Sequence, residues 1–315
     1  MKKALRILVV CILLVTLLLV VLVGCRNNTA NYKNAKKYKV GGATYDAGSI
    51  TAIDVAWTKG AVNIIFSDEY TNVTISEENS LADNEKYTIH QYVDKKGTLW
   101  VRPYAADVDT DNLPTFEKKI LTITAPKVSL KSAIVENHNG TLTIDGIQTS
   151  YLETYNLTAT TDVKNAKIVD LKMSSQGVGA GLCRAQGAIS GDITIGASYS
   201  AYVYTSVIPK SINMSAKRTA SVYIPDATPG FMAKVTPASK LSSTWEYQDA
   251  GVDQETSMNQ IKYGNMSLQM KIACATFKPL FSKTEYNSTY IGKYSDYEAS
   301  QVQEDVPEES SETVE

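Results

Sequence analysis

Histidine is nearly missing from this chain. The 315 residues hold two, His90 and His138, and neither stands beside a nucleophile motif such as GxSxG, so a hydrolytic triad finds no footing. Cysteine is scarce as well: there are four, with no CxxC pair, which removes the usual zinc spacings. Neither sign of charge dominates, with 31 Lys and Arg against 33 Asp and Glu and a net charge of -2, so nothing here draws nucleic acid. No cofactor is expected. Amphipathic helical periodicity is absent between about residues 50 and 280. What the chain has in quantity is Thr, Ser, Val, Ile and Tyr, with 19 Tyr against five Phe, the make-up of strands with one wet face.

The ends differ from the middle. Lys2, Lys3 and Arg6 precede an apolar run from Ile7 to Val23, which is borderline for a bilayer span and long for a cleaved signal. The run closes on Leu22-Val23-Gly24-Cys25, which resembles a bacterial lipobox: an aliphatic residue three before the cysteine and a small one just before it. That resemblance implies a diacylglycerol thioether on Cys25, cleavage before it, and a membrane-anchored protein working outside the cytoplasm. The other reading of the same residues is a single N-terminal transmembrane helix ending in Cys25. Residues 25–48, rich in Asn, Lys, Gly and Thr, read as a flexible tether. Residues 282–315 read as a Tyr-rich segment, Tyr286, Tyr290, Tyr294 and Tyr297, followed by an acidic disordered tail. Residues 1–24 are then the signal or anchor, and residues 49–281 the folded domain.

Inside that domain one phrase recurs: Gly60-Ala-Val-Asn-Ile64, Gly97-Thr-Leu-Trp-Val101, Gly140-Thr-Leu-Thr-Ile144 and Gly191-Asp-Ile-Thr-Ile195. The glycine permits a positive φ, and the period of two after it sends both aliphatic side chains to one face, so each phrase is a turn leading into a strand. Further alternating runs fill the gaps, among them Val73/Ile75, Leu121/Ile123 and Val222/Ile224. Recurrence of one phrase favours an all-β solenoid of stacked short strands over a sandwich or barrel. Intervals of 37, 43 and 51 residues between the phrases make the rungs irregular.

Lys37 to Ile64, KYKVGGATYDAGSITAIDVAWTKGAVNI, with TNVTISEE at 71–78, GTLWV at 97–101 and KKILTITAP at 118–126, resembles the opening of a family of bacterial cell-surface proteins grouped as candidate adhesins with β-strand repeats. Lys119-Ile-Leu-Thr-Ile-Thr-Ala-Pro126 matches the family's middle segment well, whereas only Ser190-Gly-Asp192 keeps its full rung triplet. The resemblance covers about residues 38–280 and implies a right-handed β-solenoid at the bacterial surface, with some relatives accompanying envelope-stress responses. It brings no catalytic residues.

Three features invite a chemical reading. Asp107, Asp109 and Asp111 are spaced like the first ligands of an EF-hand, but Asn112 stands where that loop turns on glycine and Lys118 where it needs a bidentate Glu, so a solvated loop is the plainer reading. Tyr202 and Tyr204 share a strand face, and Tyr223 belongs to the next rung; exposed, they form a candidate binding surface for sugar rings or a protein, and otherwise a ladder that stabilises the strands. Asp145, Glu153, Asp162, Asp170 and Asp192 could be grouped across rungs, as a β-helix polysaccharide lyase or hydrolase requires. Cys183 and Cys274 permit a disulfide, although Cys274 lies on the apolar phase of its strand, where a buried thiol fits. The expectation is a binding or scaffolding protein whose partners are the membrane, through its lipid, and an envelope protein or glycan. A polysaccharide-active enzyme is the alternative.

Overall fold

The structure, a computed structural model, describes residues 30, 32–177, 181–225, 228–235, 240–241, 249–253 and 258–281. Leu22, Val23, Gly24 and Cys25, and the tyrosines and acidic tail after residue 281, lie outside the described residues. The described chain is all-β, broken only by single 3-10 turns such as Ala47–Ser49, and none of its helices is long and apolar enough to cross a membrane.

Eight strands build the first part: β1 (Lys39–Val40), β2 (Ala43–Asp46), β3 (Ala52–Trp57), β4 (Ala61–Phe66), β5 (Asn72–Asn79), β6 (His90–Val93), β7 (Thr98–Arg102) and β8 (Lys119–Ala125). Antiparallel pairs β1–β6, β2–β5, β5–β8 and β6–β7 close this end, while β3 lies parallel to β7 and β4 parallel to β8. The tether expected over residues 25–48 is therefore corrected from Tyr32 onward. Those residues lack apolar periodicity because single aromatic anchors hold them instead: the Tyr32 hydroxyl donates to Tyr104 O at 3.0 Å, and the Tyr32, Tyr38 and Tyr92 rings follow one another at 4.6 and 5.5 Å.

The next ten strands are β9 (Ser129–Leu130), β10 (Ser132–Asn137), β11 (Leu142–Asp145), β12 (Gln148–Asn156), β13 (Thr161–Ser175), β14 (Leu182–Ile189), β15 (Asp192–Ala197), β16 (Ser200–Thr205), β17 (Ser211–Ala216) and β18 (Thr219–Ile224). Here every ladder is parallel. A first stack runs β7, β3, β10, β12, β13, β15, β17, and a second runs β8, β4, β11, β13, β14, β16, β18. The long β13 serves both, its first half in the second stack and its second half in the first. Six strands complete the chain: β19 (Gly230–Val235), β20 (Lys240–Leu241), β21 (Asp249–Asp253), β22 (Met258–Gly264), β23 (Leu268–Ala273) and β24 (Thr276–Phe281). β23 extends the first stack and β24 the second, while β22 pairs antiparallel with β19 and β21.

The core is the inward phase of both stacks. Ala133, Leu152, Leu171, Ile193 and Ile212 are successive partners in the first stack, at steps of 19, 19, 22 and 19 residues, and all are buried. One layer is too thin to exclude water from such side chains, so each rung owes its burial to the rungs on either side, about 4.8 Å away. The glycine phrase did not reveal this step because it begins strands of different stacks: Gly60 and Gly140 lead into β4 and β11 of the second, Gly97 and Gly191 into β7 and β15 of the first.

Two glycines are fixed by close approach at the corner between stacks. Gly60 has φ +87° and Gly140 φ +129°, and a Cβ on them would fall 1.7 Å from Lys119 O and 2.2 Å from Gly60 O. The corner carbonyls turn inward and are met by side-chain amides. Asn137 and Asn156, partners in adjacent rungs and both fully buried, donate Nδ2 to Gly60 O (3.1 Å), Gly140 O (3.0 Å) and Thr141 O (3.2 Å), and to Gly140 O (3.0 Å) and Thr160 O (3.1 Å), respectively. Ser175 continues the ladder one rung on, donating to Ala159 O at 3.2 Å. Buried backbone oxygens need such donors, and here they hold the turns in register.

Candidate binding surface

Alternation that sends aliphatic residues inward turns a different set outward from the first stack. Along one row Tyr92 opposes Trp100, Trp100 opposes Asp54, Asp54 opposes Ile134, Ile134 opposes Glu153 and Glu153 opposes Lys172. A flanking row carries Ala56, Glu136 and Tyr155, and the other flank carries Ser132, Tyr151 and Asp170. The result is a continuous face of aromatic rings set among charges.

Local turns fix the pieces. Asp94 closes the turn before β7 by accepting from Lys96 N (2.8 Å) and Thr98 N (3.0 Å), and its other oxygen takes the Trp100 indole N–H at 3.1 Å, which sets the ring. Burial would raise the Asp94 carboxyl, but the donors Thr98, Trp100 and Lys96 outweigh it and hold it below the ordinary range. The Arg102 guanidinium lies 5.3 Å from the Trp100 ring centre and bonds Asp54 Oδ1 at 2.7 Å and Asp54 O at 3.0 Å. Two rungs along, Glu153 accepts from Lys172 Nζ and from the Tyr151 hydroxyl, both at 2.7 Å. Here too burial pushes the carboxyl up while Lys172 and Tyr151 bring it below the glutamate value; burial and Glu153 together push the Tyr151 phenol up to about 12. His138 Nε2 sits 2.5 Å from Glu136 Oε1, with the ring edge-on to Tyr155 at 6.2 Å.

The carboxyl shifts resolved at Asp94, Asp109, Glu153 and Asp192 all run downward, the direction of groups held as anions by neighbouring donors. The five carboxylates weighed from the sequence divide between two faces. Glu153, Asp170 and Asp192 lie on the first stack, where Asp192 meets Lys210 Nζ at 2.9 Å. Asp145 and Asp162 lie on the second, 3.6 Å from Lys164 and 4.0 Å from Arg184. A shallow groove of about 300 Å³, lined by Leu130, Thr149, Ile168 and Val207 with Lys167, opens beside β9.

Other sites read from the sequence fall differently. Tyr202, Tyr204 and Tyr223 are on the outward phase of the second stack but are buried, at 9%, 6% and 6% exposed, and Tyr204 and Tyr223 are register partners with ring centres 5.0 Å apart. That is a ladder, and a surface open to a partner is not formed by these three rings. Asp107, Asp109 and Asp111 do not converge: Asp109 accepts from Asp111 N at 2.9 Å and Asn112 Nδ2 at 2.6 Å, and among the described residues no group of three potential metal ligands occurs. Cys183 and Cys274 are buried and are not joined by a disulfide, and burial pushes the Cys183 thiol up to about 12. His90, buried, bonds Thr88 O through Nδ1 at 2.8 Å. Trp100, Arg102, Asp54, Glu136, Tyr151, Tyr155 and Lys172 were not singled out in the sequence; the outward phase of successive partners at the 19-residue step finds Glu136, Tyr151, Tyr155 and Lys172, whereas Asp54 meets Trp100 and Ile134 at separations that no repeat marks.

No family model matches the chain, and no curated protein matches it. Two solved structures to which it is similar are described as bacterial adhesion proteins. One, a candidate adhesin from Bacteroides fragilis NCTC 9343, is 14% identical, with 77% of this chain and 97% of that one covered and a TM-score of 0.41. Another, a candidate cell adhesion protein from Clostridium sporogenes ATCC 15579, is 13% identical, with 78% and 100% covered and a TM-score of 0.31.

Proposed function

We propose that the chain is an adhesin-like binding protein of the bacterial surface, a right-handed β-solenoid held outside the cytoplasm by lipid on Cys25. Its working surface is the outward face of the first stack, and its ligand an envelope glycan. The observation that carries this reading is the outward face of the first stack, where Tyr92 and Trp100 stand in the central row, Tyr151 and Tyr155 in the rows on either side of it, and the charges among them, Asp54 with Arg102 and Glu153 with Lys172, are already bonded to one another. Aromatic faces cover the apolar side of a sugar ring, and the flanking Glu153, Lys172 and Arg102 supply acceptors and donors to its hydroxyls. Parallel strands make the platform rigid, so little ordering accompanies binding. Diacylglycerol supplies the two acyl chains that stable anchoring needs. Monitoring the state of the envelope would use the same face.

The full chain in detergent, offered native cell-envelope extract and isolated wall glycans, tests this. Glycan is expected to be retained, and to be lost when Trp100→Ala and Tyr155→Ala are combined in a chain of unchanged circular dichroism. Retention of proteins alone, or of nothing, contradicts the glycan reading.

A further inference from the structure

In the β5–β8 ladder Asn79 lies directly opposite Lys119, and Glu77 opposite Leu121. By alternation these polar groups share the inward face with Val73, Ile75 and Ile123, and the Lys119 and Glu77 side chains are 1% and 4% exposed. Lys119 Nζ donates to Glu77 Oε1 and, at 2.7 Å, to Tyr87 O. Asn79 Nδ2 donates to the same Tyr87 O at 2.8 Å and reaches Glu77 Oε2 at 3.5 Å. The carboxylate thus touches the amine with one oxygen and the carboxamide nitrogen with the other. Leu81 N donates to Asn79 Oδ1 at 2.9 Å, and the rings of Trp57, Tyr104 and Phe116 stand 5.0, 4.9 and 5.0 Å from Nζ.

We propose that Lys119 and Asn79 become joined by an amide bond, with Glu77 carrying the protons. The Lys119 ammonium gives a proton to Glu77, and the neutral Nζ attacks Asn79 Cγ. The Nζ–Cγ bond forms and the Cγ–Nδ2 bond breaks. The second proton lost by Nζ and the one held by Glu77 both pass to Nδ2, which leaves as ammonium, and Glu77 returns to its carboxylate. No oxidant or cofactor takes part.

The surroundings favour each step. Burial pushes the Lys119 ammonium towards its neutral form, opposed by Glu77, and a neutral amine is the nucleophile the step requires. The Leu81 N–H already bonds the oxygen on which negative charge develops in the tetrahedral intermediate. The Trp57, Tyr104 and Phe116 rings around the 1%-exposed Lys119 side chain keep water from the amine. Directly opposed residues hold their Cβ atoms within about 5.5 Å, a span that a Lys and an Asn side chain bridge easily. The product ties the antiparallel end of the molecule to the first rung by a bond that reducing agents do not open. It is independent of what the outward face binds.

Peptide mapping of the full chain by tandem mass spectrometry decides the matter. The expected result is a branched peptide joining the Asn79 and Lys119 segments, lighter than their sum by one ammonia, with no trypsin cut after Lys119. A Glu77→Gln chain, its fold checked by circular dichroism, is expected to give only linear peptides. Linear peptides from the unmodified sequence overturn the proposal. So does loss of ammonia confined to the Asn79 segment, which marks a succinimide at Asn79-Ser80. The map of the unsubstituted chain stands by itself should the variant fail to fold.

Discussion

Asn137 and Asn156 allow the stacking of rungs to be measured through a shared atom. Both Nδ2 groups donate to Gly140 O, at 3.0 Å each, and both residues are fully buried. Asn137→Ala withdraws the donor of Gly60 O, and Asn156→Ala that of Thr160 O, although Thr160 O keeps the Leu142 N–H at 3.0 Å. Leaving a buried carbonyl without a donor costs about 1–3 kcal/mol, and the missing volume adds to that, so Asn137→Ala, which orphans Gly60 O, should destabilise by about 2–4 kcal/mol, and Asn156→Ala, whose acceptors keep other donors, by about 1–2 kcal/mol. For a domain of this size the loss at Asn137→Ala lowers the melting temperature by roughly 4–16 °C. Each single variant leaves Gly140 O one donor; the double variant leaves neither. The double variant should therefore lose about 1 kcal/mol or more beyond the sum of the singles, well outside the roughly 0.3–0.5 kcal/mol expected of independent sites. Asn139→Ala, at an exposed turn position, serves as a control expected to fall within about 0.5 kcal/mol of the parent. Thermal unfolding followed by circular dichroism supplies all four values. Strict additivity, or a single variant as stable as the control, would refute the ladder as a link between rungs.

Mass spectrometry of the membrane-extracted protein should find Cys25 at the mature N-terminus bearing diacylglycerol, and a Cys25→Ala chain with the same mass shift would oppose that assignment. Cys183 and Cys274 should resist alkylation at pH 8 in the native protein and react once it is unfolded, since both are buried and the Cys183 thiol is held up at about 12; rapid native labelling of both would contradict the packing. Burial pushes the Tyr104 phenol up to about 12, against about 10 when unfolded. Between those values the unfolded chain has lost a proton that the folded chain keeps, so stability should fall as pH rises through this window. Tyr104→Phe should flatten that slope in urea titrations at high pH, and an unchanged slope would remove Tyr104 as its source.

Strand phase was legible from the sequence wherever aliphatic residues alternate: Leu142/Ile144 and Ile193/Ile195 point inward as their period of two requires. The rung length was not, because the glycine phrase marks any turn into a strand and says nothing about which stack the strand joins. Tyr202 and Tyr204 had the outward phase expected of them, but alternation fixes only the side of the sheet, and whether that side is covered depends on the rest of the fold. Residues 32–48 carry no periodic pattern at all; they are ordered by long-range contacts such as Tyr32 to Tyr104, 72 residues apart, that no local window contains. The Lys119–Glu77–Asn79 cluster was hidden for the same reason. Lys119 lies about forty residues from Glu77 and Asn79 and meets them only through the antiparallel register of β5 and β8.

The outward face of the first stack is the centre of the functional account, and affinity measured on the two faces separately is its most direct test. Titration of the full chain with the wall glycan it retains should weaken at least tenfold, about 1.4 kcal/mol, for Trp100→Ala and again for Tyr155→Ala. Tyr202→Phe and Tyr223→Phe, which alter only the buried ladder of the second stack, should leave it unchanged. Undiminished binding by the first pair, or loss of binding in a still-folded member of the second, would contradict the account.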